Sequence, residues 1–242
     1  MPVKEFEGIR RFAKLGIVRQ GYLAEKEVTD KKTGETKIVT YPVNTPHFLV
    51  RADDKTTSSE MVTIFENQYG KEPISIVAEF PLDERDKVFP YWMKRYGTGG
   101  KLLCKGDGEN ALAPDPKNPG EMAEIACDPD TCPYALSGDC DHVGNLFILL
   151  PELVGWGVWQ MNIGGWNSIV RILSLMDELE GMHKALLGKP GLVGIPFKLV
   201  KKPYTAHPWV VDKKTGEKKQ ITTNTHIVDY ELPRIRIADV RA

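Results

Sequence analysis

Hydrophobic positions fall in short runs of strand-like composition along most of the chain and recur at helical spacing in one long stretch. Asp30-Lys31-Lys32-Thr33-Gly34-Glu35 and Asp212-Lys213-Lys214-Thr215-Gly216-Glu217 each place a glycine where a tight turn needs positive φ. The first predicts a hairpin joining 16–28 to 36–40, and the second a hairpin joining 209–211 to 219–230. Residues 46–51 read as a strand and 74–80 as a buried one, with further strands at 101–105, 121–126, 145–150, 157–162, 195–201 and 227–237. Ser58 or Ser59 offers an N-cap to a helix over 60–68 that Gly70 stops. Asp83 and Glu84 open a second helical stretch containing Trp92 and Tyr96, which Pro90 shortens or breaks. The long helix carries Ile169, Ile172, Leu173, Met176, Leu179, His183, Leu186 and Leu187 at i+3/i+4 spacing, so one face must be buried. Asn167 or Ser168 can cap its start, and Gly188 with Pro190 ends it.

Composition narrows this pattern to a globular protein with a sizeable core. The 242 residues are 41% hydrophobic and 27% charged, which excludes disordered, collagen-like and coiled-coil classes. A net charge of −1 argues against a protein that coats nucleic acid indiscriminately. The charge is uneven, at +3 over 1–40, −9 over 41–194 and +5 over 195–242. Lys31, Lys32, Lys213 and Lys214 fall in predicted turns, where solvated hairpin tips are the simpler reading than a nucleic-acid footprint. The first twelve residues lack the apolar core of a signal peptide. The nearest approach to a membrane span, 143–158, is interrupted by Asn145, Pro151 and Glu152. A cytoplasmic protein with reduced thiols is therefore expected.

That expectation changes the meaning of the cysteines. All four, Cys104, Cys127, Cys132 and Cys140, lie within 37 residues, and the text around the last three is turn chemistry rather than core. Four thiolates at about 2.3 Å satisfy tetrahedral Zn²⁺ completely, and the C-x4-C and C-x7-C spacings let loops wrap one ion while Cys104 arrives from a neighbouring strand. Such a zinc is structural and contributes folding energy to a stretch with few apolar residues. An iron–sulfur cluster and unligated thiols stand as alternatives, as does exchange of one cysteine for His142.

Other groupings are better explained without chemistry. Lys105-Gly106-Asp107-Gly108-Glu109 lacks the phosphate-loop pattern and reads as a turn. Ser168 has no nucleophile elbow around it. Asp83, Glu84 and Asp86 suit a first helical turn, and His47, His183, His207 and His226 show no metal-binding spacing. Trp156, Trp159 and Trp166 read first as core and second as a stacking platform for bases. No catalytic grouping emerges. The residues alone support an α+β fold with a mostly antiparallel sheet, one long packed helix and an inserted four-cysteine zinc subsite. The expected organisation is one domain over 1–242 with a zinc-binding insertion at 104–142.

Several pieces form an ordered set: Cys127-x4-Cys132-Pro133-x6-Cys140-x3-Gly144-Asn145-Leu146, Leu149-Leu150-Pro151, Gly157-Val158-Trp159-Gln160, Asn167-Ser168-Ile169 and Gly194-Ile195-Pro196-Phe197-Lys198-Leu199. Upstream, Leu15-Gly16-Ile17-Val18-Arg19, Tyr41-Pro42, Tyr69-Gly70-Lys71-Glu72-Pro73, Phe80-Pro81 and Leu103-Cys104-Lys105-Gly106-Asp107-Gly108 extend it. From about residue 9 to 200 the chain resembles the phage-type recombination directionality factors that partner large serine integrases and are also catalogued as metal-binding proteins. It departs from that pattern at Asp141-His142 and at Gly164-Gly165-Trp166. The resemblance implies a phage- or prophage-encoded accessory protein rather than an enzyme. Such a factor binds an integrase on its attachment-site DNA, with weak or indirect DNA contact of its own and no membrane. It biases recombination toward prophage excision. Differential binding of about 1–3 kcal/mol would suffice to change the preferred direction. A zinc-stabilised single-strand nucleic-acid binder and a metal-dependent hydrolase are the competing readings.

Overall fold

The computed structural model describes residues 12–29, 34, 36–53, 55–97, 100–115, 118, 120–207, 209–211 and 218–233. In chain order the elements are β1 (Lys14–Thr29), β2 (Thr36–Val50), α1 (Ser59–Tyr69), β3 (Ser75–Ala78), α2 (Arg85–Val88), β4 (Tyr91–Tyr96), β5 (Leu102–Gly106), β6 (Asn110–Pro114), β7 (Met122–Ala126) and α3 (Pro133–Leu136). They continue with β8 (Cys140–Ile148), β9 (Val158–Gly164), α4 (Trp166–Leu187), β10 (Phe197–Ala206), β11 (Trp209–Val211), β12 (Lys218–Gln220) and β13 (Thr223–Glu231). An eight-stranded sheet in the order β2-β1-β9-β8-β4-β5-β6-β7 faces a three-stranded one, β13-β10-β3, with β11-β12 as a separate ribbon. Every described strand pair is antiparallel except β1 with β9. The α+β expectation therefore holds.

The core lies where α4 and the two sheets meet. Ile169, Ile172, Leu175, Met176 and Leu179 of α4 join Leu146 and Ile148 of β8, Met161 and Ile163 of β9, and Phe197, Leu199 and Val228 in one buried cluster. Trp159 anchors the far side of that cluster, its ring centroid 5.8 Å from that of Phe65 on α1. The helix ends behave as their sequences require. Ser58 Oγ accepts the Met61 N–H at 3.2 Å to cap α1, and Gly188 closes α4 in the left-handed region at φ 77°. No described helix is long and apolar enough to cross a membrane.

Four expectations require correction. Trp92 and Tyr96 are not helical: Asp83 and Glu84 open only the single turn of α2, Pro90 stops it, and the next residues enter β4, which is paired on both sides. Neither Asn167 nor Ser168 caps α4. Gly165, at φ 78°, makes the turn out of β9 instead, and Ser168 is buried inside the helix. The hairpin strand expected at 36–40 runs on without a break through the strand expected at 46–51, and β6 was not anticipated. The second hairpin pairs β11 only with β12, so its expected arm over 219–230 is broken after Gln220 and the remainder, β13, pairs with β10 instead; its turn, like 234–237, lies outside the described residues.

Lys201 of β10 connects the two sheets. It is 6% exposed, and its ammonium donates to Asn44 Oδ1 at 2.7 Å and to the Gln20 carbonyl at 3.4 Å, reaching β2 and β1. Burial without a carboxylate partner lowers its pKa from an ordinary 10.5 to about 8. The folded state thus releases this proton before the unfolded chain does, so stability rises with pH between about 8 and 10.5 and is reduced below that window. In denaturant titrations across the window, wild type should gain stability relative to Lys201→Met, whose buried side chain does not titrate. A constant difference at every pH would show that the ammonium is not desolvated.

Candidate functional site

The cysteines are positioned by the pairing of β4 on both its sides. Arg95 sits opposite Cys104 of β5 and also opposite Cys140 of β8, which puts those two thiols on one face of the sheet with a strand between them. Cys127 follows β7, its N–H bonded to the Glu109 carbonyl at 2.8 Å. Cys132 precedes α3 and closes a turn held by Asp128. That carboxylate accepts from the Asp130 N–H at 3.0 Å and the Thr131 hydroxyl at 2.7 Å, while Cys132 N–H reaches the Asp128 carbonyl at 2.8 Å. Pro133 then starts α3, where its missing N–H costs nothing.

All four thiols line one cavity of about 400 Å³, shared with Met93, Arg95, Gly106, Ala111 and Tyr134. Arg95 spans its rim, with the guanidinium 3.6 Å from the Tyr134 ring centroid. Burial pushes the Cys140 thiol up to about 11, and the neighbouring Cys104, Cys132 and Cys127 and the Asp141 carboxylate add to the shift. Cys104 is raised by the same kind of burial and by Cys127, against the pull of Arg95. Soft sulfur donors sharing one pocket are a donor set that suits a thiophilic divalent cation such as Zn²⁺. The thiols do not close on a common point: among the described residues no three His, Cys, Asp or Glu side chains are grouped tightly enough to hold an ion.

His142 does not line this cavity. Its ring packs against Trp166 with centroids 4.6 Å apart, burial lowers its pKa, and its Nδ1 is buried without a hydrogen-bond partner among the described residues. The strands carrying Cys104 and Cys140, and the strand that Cys127 follows, are continuous with the main sheet, as the order β8-β4-β5-β6-β7 shows.

A recombination directionality factor-like family model, Gp3-like, matches residues 15–232. The chain belongs to that family. No curated protein and no solved structure matches it.

In this family member the remaining residues of chemical interest serve the fold. Asp83 accepts the Leu192 and Val193 N–H groups at 2.7 and 3.1 Å, which lowers its pKa and pins the loop after α4. Glu84 pairs with Lys87 on the surface. Asp107 accepts the Glu109 and Asn110 N–H groups, so the glycine-rich stretch after Cys104 is a turn between β5 and β6. His183 is buried and its Nδ1 lies 2.8 Å from the Lys189 carbonyl; His47 approaches Glu72 at 3.8 Å, and His207 contacts Thr222. Of the three tryptophans only Trp159 belongs to the core, while Trp166 is half exposed and Trp156 is 93% exposed on the β8–β9 connection. Arg95 was not singled out from the sequence. Its place beside two cysteines depends on the long-range pairing of β4 with β5 and β8.

The cavity depends on Gly106. A Cβ there would stand 2.6 Å from Cys127 Sγ and 2.9 Å from Ala111 Cβ. Gly106→Ala is expected to cost about 1–3 kcal/mol through overpacking. Gly164→Ala, whose added methyl would meet nothing within 4 Å, should leave stability nearly unchanged. Denaturant midpoints of the two variants measure the contrast, and equal midpoints would refute the packing at Gly106.

Proposed function

We propose that this protein binds a large serine integrase already seated on attachment-site DNA and shifts recombination toward prophage excision. Membership of the directionality-factor family across residues 15–232 carries the reading. The near-neutral charge agrees with a factor that works through a protein partner rather than by gripping DNA on its own. Its action is differential binding: contact that is tighter in the integrase arrangement synapsing the product sites raises the population of that arrangement, and about 1–3 kcal/mol of coupling changes the outcome. The measurement is recombination by its cognate integrase on left-plus-right and on phage-plus-bacterial site pairs, with and without the protein. Excision should appear, and integration fall, only when the protein is added. An unchanged direction of product formation would overturn the proposal.

The same reading gives Cys104, Cys127, Cys132 and Cys140 to a structural Zn²⁺. A sulfur-only shell satisfies tetrahedral zinc and leaves no position for water or substrate, so the ion would supply rigidity rather than chemistry. The Asp128 turn before Cys132 and the shared cavity of the four thiols support this reading. X-ray absorption of purified protein should show four Zn–S bonds at about 2.3 Å. Cys132→Ser should lower the thermal midpoint and make it sensitive to mild chelators. A wild type whose thermal midpoint is the same before and after metal removal would remove zinc from the account.

A further inference from the structure

The β1–β2 hairpin outgrows the sheet that supports it. Pairing of β1 with β9 ends at Val18↔Met161, whereas β1 stays paired to β2 from Gly21↔Asn44 out to Thr29↔Thr36. The outer nine residues of each strand thus form a two-stranded arm of roughly 27 Å. Strand alternation and the register separate its two faces. Tyr22, Ala24, Lys26 and Val28 share one face with Val43, Tyr41, Val39 and Lys37, and the opposite face carries Glu25, Glu27, Thr29, Thr36 and Thr40 with Leu23, Ile38 and Pro42.

The first face is apolar, continuous and uncovered. Tyr22, Tyr41, Val28 and Val39 are 39 to 47% exposed, and a depression of about 440 Å³ runs between Lys26, Val28, Val39 and Tyr41. At the root lies a separate cleft of about 600 Å³ whose lining includes Tyr22, Val43, Arg19 and Arg51, with the Arg51 guanidinium 5.1 Å over the Tyr22 ring. A lone two-stranded ribbon is marginal in water, and a row of tyrosine and valine on it is costly unless a partner covers it. The charges are sorted as well: the apolar face carries only cations along the arm, Lys26 and Lys37, while Glu25 and Glu27 lie behind it. Duplex DNA would match the lysines but leave the apolar row uncovered and meet the two glutamates one strand thickness away. An apolar protein ridge flanked by carboxylates matches both features.

We infer that the Tyr22–Tyr41–Val39–Val28 face of the β1–β2 arm is the docking surface for the integrase, and that it takes an apolar ridge bordered by acidic side chains. This rests on the integrase reading above. The test uses the full-length protein and immobilised cognate integrase, with the free attachment-site duplex as a parallel probe. The double variant Val39→Asp, Tyr41→Asp should weaken integrase binding at least about tenfold, because truncated or charged aromatic anchors dominate such losses. Ile38→Asp with Thr40→Asp, on the opposite face, should stay within about twofold, and Lys26→Glu with Lys37→Glu should weaken binding and reduce its salt dependence. All these side chains are exposed, and unchanged thermal midpoints would separate lost contact from lost folding. Failure of wild type to bind integrase would sink the integrase reading and this inference together. Wild-type binding with an unaffected Val39→Asp, Tyr41→Asp variant would sink the inference alone. The same follows if that variant loses only duplex binding or only concentration-dependent self-association.

Discussion

Strand β4 is held on both sides, and the geometry of the cysteine cavity follows from that one constraint. Six residues of modest apolarity, Tyr91–Tyr96, hydrogen-bond to β8 on one side and β5 on the other. With Arg95 in register with both Cys104 and Cys140, two thiols distant in sequence are fixed on one face, and the segments after β7 and before α3 bring Cys127 and Cys132 to the same cavity. A slip of one residue in either ladder would turn one cysteine to the other face of the sheet. Backbone pairing, more than any affinity among thiols, therefore assembles this donor set.

The rest of the molecule divides into a well-packed half and a sparsely packed half. Around α4, long apolar side chains from two sheets meet with almost no exposure, and the polar groups there are tied individually: Lys201 by Asn44, His183 by the Lys189 carbonyl, Asp83 by two backbone amides. Beyond β4 the apolar content falls. Leu112, Met122, Ile125, Tyr134 and Leu136 all remain more than a third exposed, so burial contributes little to holding β6, β7 and α3 in place. A bound ion would act where the hydrophobic effect is weakest, which is why a sulfur site is physically reasonable at that end of the sheet.

The β1–β2 arm shows the same economy in another form. Its root is clamped by the Thr45 hydroxyl on the Gln20 and His47 carbonyls and by the Arg19–Asp53 pair, whereas its outer length depends on its own ladder. A rigid base with an exposed apolar extension is a shape for reaching another macromolecule. It requires no cofactor and no catalytic group to be useful.

What was legible in the sequence is what local physics decides. The i+3/i+4 apolar stripe of α4, the Gly188 stop, the Ser58 cap, the positive φ of Gly34 and the clustering of four cysteines each depend on residues near one another in the chain. The ordered motifs also pointed to the directionality-factor family that the chain belongs to. Only the tertiary structure decided the rest. Residues 91–96 carry a helix-start signal upstream and become a strand because two partners, whose Cys104 and Cys140 lie 36 residues apart in the sequence, supply hydrogen bonds on both edges. Trp159 and Trp156 have nearly the same local context, yet one is buried and the other stands in solvent, because strand β9 is covered by α1 and the preceding connection is not. Neighbouring residues dictate turns, caps and periodicity, whereas the depth of a side chain and the company of a thiol depend on long-range pairing that no local pattern encodes.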